Sequence, residues 1–160
     1  MKKISKKLRL KQLYDKKLIT ENITKISSII SKKSKIRKLL KTMQRKLAYY
    51  PPGKFNGSVV DGRDIGTVVL PDADIKIFLS ASLKIRALRR FREFKKNNIQ
   101  TSLSKVKKDL KIRDKLDQTR KFSKLRPAKD SVLINSSFYN KKALFKKTQS
   151  IIDAKYKNLF

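Results

Sequence analysis

The chain has 160 residues, enough for one domain with a hydrophobic core of its own. Its 44 Lys and Arg against 12 Asp and Glu leave a net charge of +32, which attracts polyanions and opposes compaction. It has no Cys and no His, which excludes disulfides, thiolate metal sites and catalysis by either side chain. No stretch approaches the ~20 apolar residues of a membrane span, and the basic N-terminus lacks the apolar core of a secretory signal. We therefore expect a soluble, cytoplasmic protein without a membrane segment, whose chemistry rests on Arg, Lys, Asp, Ser and Thr.

The first third of the chain predicts a basic arm followed by two helices. Residues 1–17 are rich in Lys with little apolar periodicity, which indicates a flexible arm. From Leu18 onward, apolar residues recur at helical spacing on either side of a polar break. These residues are Ile23, Ile26, Ile29 and Ile30, then Ile36, Leu39, Leu40, Met43 and Leu47. Pro51 and Gly53 predict the end of the second helix and a loop over residues 49–57.

The rest of the chain alternates predicted strands and helices. Val59 and Val60 are typical of the end of a buried strand, and residues 75–80 and 132–135 predict two more. Ser82 and Ser102 are predicted to cap helices, the second with Leu103, Val106 and Leu110 on its buried side, and a last helix follows from about Tyr139. This alternation predicts an α/β fold with parallel strands.

A compact charged motif follows the first predicted strand. Asp61, Arg63 and Asp64 come where an open α/β sheet places its working groups, and Gly62 and Gly66 allow tight turns. An Arg between carboxylates can hold a phosphate, while Asp61 can position a hydrated Mg²⁺. On spacing alone, a salt-bridged turn is an equally good interpretation.

A second charged motif is spaced for a helix. Arg113, Asp117 and Arg120 stand at i, i+4 and i+7, so a helix would place the carboxylate between two guanidiniums on one face. Such a group can grip a phosphate and a base edge together. In a chain this highly charged, spacing alone favours a solvated ladder of salt bridges.

These motifs resemble those of the bacterial cytidylate kinases. The segment V-V-D-G-R-D-I-G-T-V-V-L-P-D-A at 59–73 is similar to the hallmark of that family, and the similarity continues through residues 75–82, 86–90, 112–120 and 125–134. The resemblance implies a partial P-loop nucleoside monophosphate kinase fold, a parallel sheet flanked by helices with the first two strands absent. It also implies transfer of a phosphoryl group from ATP, with Mg²⁺, to CMP or dCMP in pyrimidine nucleotide metabolism, giving CDP or dCDP.

The resemblance also implies an organisation for the chain. Residues 18–160 would form a single incomplete domain, with residues 18–50 as part of a helical CMP-binding insert. Residues 58–160 would be the remainder of the core, including a mobile lid around 98–125.

The resemblance further assigns roles to single residues. Arg113 and Arg120 would neutralise charge on the transferring phosphates. CMP would be bound by Ser28, Arg37, Arg63, Asp64 and Asp117. Arg86, Arg89 and Arg90 are predicted to face outward, and Arg89 is a candidate for ATP phosphates, with a solvated helix face as the alternative.

The sequence also departs from the family pattern. It contains no G-x-x-x-x-G-K-[ST] phosphate loop, and its four Gly stand at 53, 57, 62 and 66. Lys124 stands where the family has Pro, Asn135-Ser136 where an Asp is typical, and Ile19 where an Arg is common. We therefore expect the chain alone to be inactive and a separate N-terminal fragment to be a partner. The alternatives are a basic nucleic-acid-binding protein, since nonspecific polyanion binding follows from the charge, or an inactive degenerate fragment.

Overall fold

The computed structural model describes residues 21–30, 33–51, 53, 55–121 and 123–157. These residues fall into two units that divide after Asp61. The predicted basic arm at 1–17 and Ile19 lie outside the described residues.

The first unit contains the two predicted helices. Helix α1 spans Glu21–Ile30 and α2 spans Ser34–Tyr49. At the break between them, the Lys33 N–H donates to the Ile30 carbonyl at 3.0 Å. After α2, the Tyr50 N–H caps the Lys46 carbonyl at 3.0 Å, and Gly53 adopts a φ of +82° that disfavours residues with a side chain. The prediction of two amphipathic helices followed by a turn is confirmed.

The strand predicted to end at Val59 and Val60 is absent from the described structure. Residues 57–61 have no regular hydrogen bonding, and Val59 is fully exposed. The Ser58 hydroxyl connects this segment to α2 by donating to the Ala48 carbonyl at 2.9 Å. The prediction was wrong because apolar residues form a strand only with a neighbouring strand to bond to. Within the described residues, the sheet consists of two strands that pair with each other.

The second unit is built on that sheet. Strand β1 spans Ile77–Ser80, two residues shorter at its start than predicted, and β2 spans Val132–Asn135 as predicted. They run parallel, with Ile77 opposite Val132 and Ser80 opposite Asn135. A parallel pair requires a long crossover, which two helices between the strands provide.

The crossover helices are α3, Leu83–Lys96, and α4, Leu103–Thr119. Both predicted caps are present: Ser82 Oγ accepts from the Ile85 N–H at 3.3 Å, and Ser102 Oγ from the Lys105 N–H at 3.2 Å. The helices pack through a buried cluster whose members are Ala87, Phe94 and Val106, with Phe91, Ile99 and Leu110 against it. Leu103, predicted to be inside, is 37% exposed because it stands in the first turn of α4, beyond that cluster.

The chain closes with a turn of 3₁₀ helix, Ser136–Phe138, and helix α5, Lys141–Lys157, which begins two residues later than predicted. Asn140 Oδ1 accepts from the Ala143 N–H at 2.8 Å at the start of α5. Among the helices of the described chain, none combines the length and apolarity that crossing a membrane requires. The parallel strands with their flanking helices confirm the α/β class.

Candidate functional site

The segment after Asp61 forms a tight turn that presents Arg63. One turn of π-helix, Ile65–Val69, follows it, and the Asp64 carbonyl accepts from the N–H groups of Val68 at 2.9 Å and Val69 at 3.2 Å. Val69 is buried and anchors the turn. A Cβ at Gly62 would stand 2.9 Å from the side chain of Ile65, so this position has no room for another residue unless that side chain moves. The turn therefore fixes where the chain places Arg63.

Asp117 lies among three guanidiniums. Its Oδ2 is 3.5 Å from Arg63 Nη1 and 3.9 Å from Arg113 Nε, and its Oδ1 is 3.3 Å from Arg120 Nη1. Asp117 is buried, near the C-terminal end of α4. The predicted arrangement, a carboxylate between Arg113 and Arg120, is present in the structure. Arg120 directly follows α4, and its N–H donates to the Leu116 carbonyl at 3.1 Å, so it stands at the C-terminal end of the predicted helical face.

A second carboxylate, Asp114, extends the group. Arg86 on α3 donates through Nη1 to Asp114 Oδ1 at 3.0 Å and places Nη2 2.7 Å from Oδ2, while Arg63 Nη1 lies 4.0 Å from Oδ1. Two parallel contacts of this kind are the strong form of an Arg–carboxylate pair. Sequence analysis missed Asp114, although it stands three residues before Asp117 and thus on the same helical face.

Arg86 was predicted to face outward, and this was wrong. Its side chain is partly buried, and its Nε also donates to the Ala81 carbonyl at 2.9 Å. The cause is the buried packing of α3 on α4, which places Arg86 opposite Asp114.

We call the group of Arg63, Arg86, Arg113, Arg120, Asp114 and Asp117 the arginine cluster. It holds four cations and two carboxylates, an excess of two positive charges. Burial lowers the pKa of Arg113, and the positive charge of Arg63 lowers it further, while Asp117 acts in the opposite direction. Asp117 Oδ2 is buried and accepts no hydrogen bond within the described structure. The excess of two positive charges suits the cluster to receiving a dianion such as a phosphate.

The other predicted CMP-binding residues lie in both units, Ser28 and Arg37 in the first and Asp64 in the second. Arg37 lies on α2 and is half-buried; Ser28 lies on α1, and its side chain is outside the described part of the chain. Asp64 is half-buried at the start of the π-helical turn, and Asp61 is exposed.

Arg89 joins α3 to the ends of the two strands. Its Nη1 donates to Ser136 Oγ at 3.0 Å, and its Nη2 to the carbonyls of Ser136 at 2.7 Å and Tyr139 at 3.3 Å. Ser136 is buried and its hydroxyl donates in turn to the Ser80 carbonyl at 3.0 Å. These bonds give Arg89 a structural task, and its role toward ATP stays a prediction.

A site for a protein-held metal ion is not found in the described residues, which contain no cluster of three acidic side chains. The role of Asp61 toward a hydrated Mg²⁺ stays a prediction. Mg²⁺ commonly reaches kinase sites on the phosphates of the nucleotide, with few protein ligands.

Comparison with known proteins agrees with these features. A sequence model described as cytidylate kinase matches residues 4–153. A cytidylate kinase of Streptococcus mutans is 41% identical over 139 residues, covering 84% of this chain and 57% of that protein. A cytidylate kinase of Enterococcus faecalis is 39% identical over 139 residues, covering 87% of this chain and 59% of that protein. One of Phocaeicola vulgatus is 46% identical over 105 residues, covering 63% of this chain and 46% of that protein.

The chain therefore spans less than three fifths of the length of these relatives. Its parallel strands and flanking helices correspond to part of the nucleoside monophosphate kinase fold. On the extent of the match and the identities, the chain belongs to the cytidylate kinase family.

Proposed function

We propose that this chain supplies the acceptor side of a cytoplasmic (d)CMP kinase. The reaction transfers the γ-phosphoryl group of ATP to CMP or dCMP and yields ADP with CDP or dCDP, in pyrimidine nucleotide metabolism. The observation that carries the proposal is the position of Asp117 among Arg63, Arg113 and Arg120. The names of the relatives, cytidylate kinases, support the choice of nucleotide.

The arginine cluster has the charge that the reaction needs. In phosphoryl transfer, an oxygen of the acceptor phosphate attacks the γ-phosphorus, the bond to the β-γ bridging oxygen breaks, and negative charge spreads over the transferring group. Catalysis comes mainly from positioning and charge neutralisation. Arg113 and Arg120 stabilise that charge, Arg63 holds the acceptor phosphate, and Asp117 orients the guanidiniums and accepts from the base. The excess of two positive charges matches the acceptor phosphate.

Asp117 and Asp114 also keep the four guanidiniums close together. Four guanidiniums without carboxylates would repel one another and spread into solvent. The carboxylates hold them in fixed positions while leaving a positive excess for the ligand. The resemblance assigns further CMP contacts to Ser28 and Arg37 in a helical insert at 18–50, and to Asp64 in the core at 58–160. It also assigns closure to a lid around 98–125.

The donor side of the reaction requires a phosphate loop. Backbone N–H groups and a Lys of such a loop hold the ATP phosphates in line, and the printed sequence has no motif of this type. In this scheme Mg²⁺ binds mainly through the phosphates of ATP, and Asp61 can contact it through water. We therefore propose that the 160-residue chain alone does not turn over, and that a fragment carrying the loop completes the enzyme.

The experiment is a calorimetric titration of the chain with CMP, dCMP, AMP and GMP at about 150 mM salt, where the Debye length is ~8 Å and bulk attraction is screened. We expect saturable binding with a preference of at least about tenfold for the cytidine nucleotides, and its loss in Arg120→Gln. The matched control is Arg92→Gln, which removes the same charge at an exposed position on α3. Equal affinity for all four nucleotides, falling equally in both variants, would reject the proposal.

A complementation assay tests the donor side separately. Adding an N-terminal fragment of a complete relative should produce ADP release that depends on CMP. A fragment whose phosphate-loop Lys is replaced by Met serves as its control. Robust turnover by the purified chain alone would contradict the proposed division of the site.

A further inference from the structure

The strongest unassigned feature is a basic cavity beside the arginine cluster. It is half open to solvent, has a volume of about 270 Å³ and is lined by Thr67, Val68, Lys121, Ser123, Lys124 and Arg126, whose three cations are exposed. We propose that this cavity, here called the basic pocket, is a second anion site that binds the diphosphate group of a small molecule. The inference concerns residues outside the arginine cluster and does not depend on the proposed kinase reaction.

The chemistry of the lining points to a polyanion of low molecular weight. Three lining side chains are cations, two carry hydroxyls, and none of the six residues is acidic. Cations gathered around a concave surface raise the local positive potential and concentrate anionic ligands there. Lys and Arg donate up to three and five N–H groups to phosphate oxygens, and Ser123 can add a hydroxyl donor.

The backbone that forms the pocket is held in place by specific contacts. Ser123 has a φ of +58°, which is uncommon for a residue with a side chain, and Arg120 Nε donates to its carbonyl. Two residues later, the Leu125 N–H donates to the Asp117 carbonyl at 2.8 Å. The wall containing Ser123 and Lys124 is therefore fastened to the end of α4.

The opposite wall is the π-helical turn Ile65–Val69. The hydroxyl of Thr67 contacts the Asp64 carbonyl at 3.4 Å, and the turn is anchored by the buried side chain of Val69. Both walls thus begin next to residues of the arginine cluster, Arg63 on one side and Arg120 on the other. The basic pocket lies beside the cluster but shares none of its side chains.

The size of the pocket limits the ligand. Sites for drug-sized molecules usually enclose about 300–1,000 Å³, so this pocket has room for a diphosphate group but not for a much larger molecule. Two sources of that group remain, inorganic diphosphate and a nucleoside diphosphate.

The test is calorimetric titration of the full chain with inorganic diphosphate, ADP and adenosine at about 150 mM salt. We expect saturable binding of diphosphate at one site, with its affinity lowered at least about tenfold in Lys124→Ala/Arg126→Ala, the loss typical of charge-assisted phosphate contacts. The matched control, Lys107→Ala/Lys111→Ala, removes the same charge from exposed positions on α4 and should change affinity less than about twofold. Single Lys124→Gln and Arg126→Gln variants replace the double variant if it does not fold.

The results distinguish inorganic diphosphate from a nucleoside diphosphate as the ligand, and they test the basic pocket separately from the proposed CMP site. Stronger binding of ADP than of diphosphate, with none of adenosine, assigns the site to a nucleoside diphosphate; the reverse order assigns it to the inorganic ion. The Arg126→Gln variant, which changes a residue outside the lid around 98–125, should still bind CMP, so the acceptor proposal is tested independently. Equal losses in pocket and control variants, or no saturable diphosphate binding at this salt concentration, would overturn the inference.

Discussion

Arg63 Nη1 lies 3.5 Å from Asp117 Oδ2, and this contact joins the turn before the π-helix to the last turns of α4. The two residues belong to motifs that are far apart along the chain. The arginine cluster therefore forms only when the unit 62–160 is folded. Stability of this unit and binding of an anion should be linked through the same side chains.

Asp117→Asn should destabilise the chain, because it removes the carboxylate that three guanidiniums share. Breaking a buried ion pair costs about 3–5 kcal/mol, but Arg63 and Arg113 are more than a third exposed, so we expect about 1–3 kcal/mol here. Urea unfolding measures the loss. Asp153→Asn, at an exposed position on α5, is the control and should change stability by less than about 0.5 kcal/mol. Wild-type stability in Asp117→Asn would show that the carboxylate does not organise the cluster.

Arg113→Gln should separate stability from binding. Burial and the charge of Arg63 lower the pKa of Arg113. Holding the Arg113 cation in the folded chain without ligand therefore costs free energy, and the neutral Gln removes that cost. We expect a free energy of unfolding no lower than that of the wild type, together with an affinity for CMP reduced by about tenfold or more. Urea unfolding and calorimetry measure the two effects, with Arg92→Gln as control. A clear loss of stability would mean that attraction to Asp117 outweighs burial.

The sequence predicted well where local rules decide the structure. Ser82 and Ser102 cap their helices because a Ser before an amphipathic run satisfies free N–H groups, whatever the rest of the chain does. Strand β2 was predicted to the residue for a similar reason, since a short apolar run stands between polar segments. In the site, i,i+4 spacing predicted the pairing of Arg113 with Asp117.

What could not be predicted depends on tertiary structure. Val59 has the composition of a strand residue, but a strand exists only where another strand accepts its hydrogen bonds. Arg86 has the pattern of a solvated helix face, but packing of α3 on α4 brings it within 2.7 Å of Asp114. The basic pocket combines residues from two segments, each of which is an ordinary basic or turn sequence on its own.

Asp130 should make the fold sensitive to acid. Its hydrogen bond from Lys76 lowers its pKa below the ordinary Asp value, so its stabilising contribution is present above about pH 4 and is lost as the pH falls through the lowered pKa. We expect the melting temperature to fall less between pH 6 and pH 3 in Asp130→Asn than in the wild type. Lys76→Met should reduce the acid sensitivity similarly, and the double variant should add nothing further. If the effects of the two single variants on acid sensitivity added in the double variant, Asp130 and Lys76 would act independently and the prediction would be wrong.

The buried cluster between α3 and α4 should carry much of the stability of the second unit. Phe94 is 8% exposed, packs with Ala87 and Val106, and lies with its ring centroid 4.6 Å from the guanidinium carbon of Arg90. Phe94→Ala should cost about 3–5 kcal/mol, measured by urea unfolding. Phe145→Ala, which removes a ring that is 69% exposed on α5, is the size-matched control and should cost far less. Similar losses in the two variants would mean that the ring of Phe145 is covered in solution.

The net charge of +32 should produce nonspecific binding of RNA and DNA with a steep dependence on salt. Lys and Arg release counterions from the phosphates that they contact, so the logarithm of affinity falls linearly with that of the salt concentration, by about 0.9 per contact on duplex DNA. Fluorescence anisotropy with duplexes of different sequence, at several salt concentrations, measures the slope and any sequence preference. We expect equal affinities at each salt concentration and weak binding at about 150 mM. Excess duplex should weaken CMP binding only at low salt, since screened contacts do not occupy the arginine cluster. A tight, sequence-selective complex at 150 mM salt would favour nucleic-acid binding as the function. Membership of the kinase family would then reflect common descent and not kinase activity.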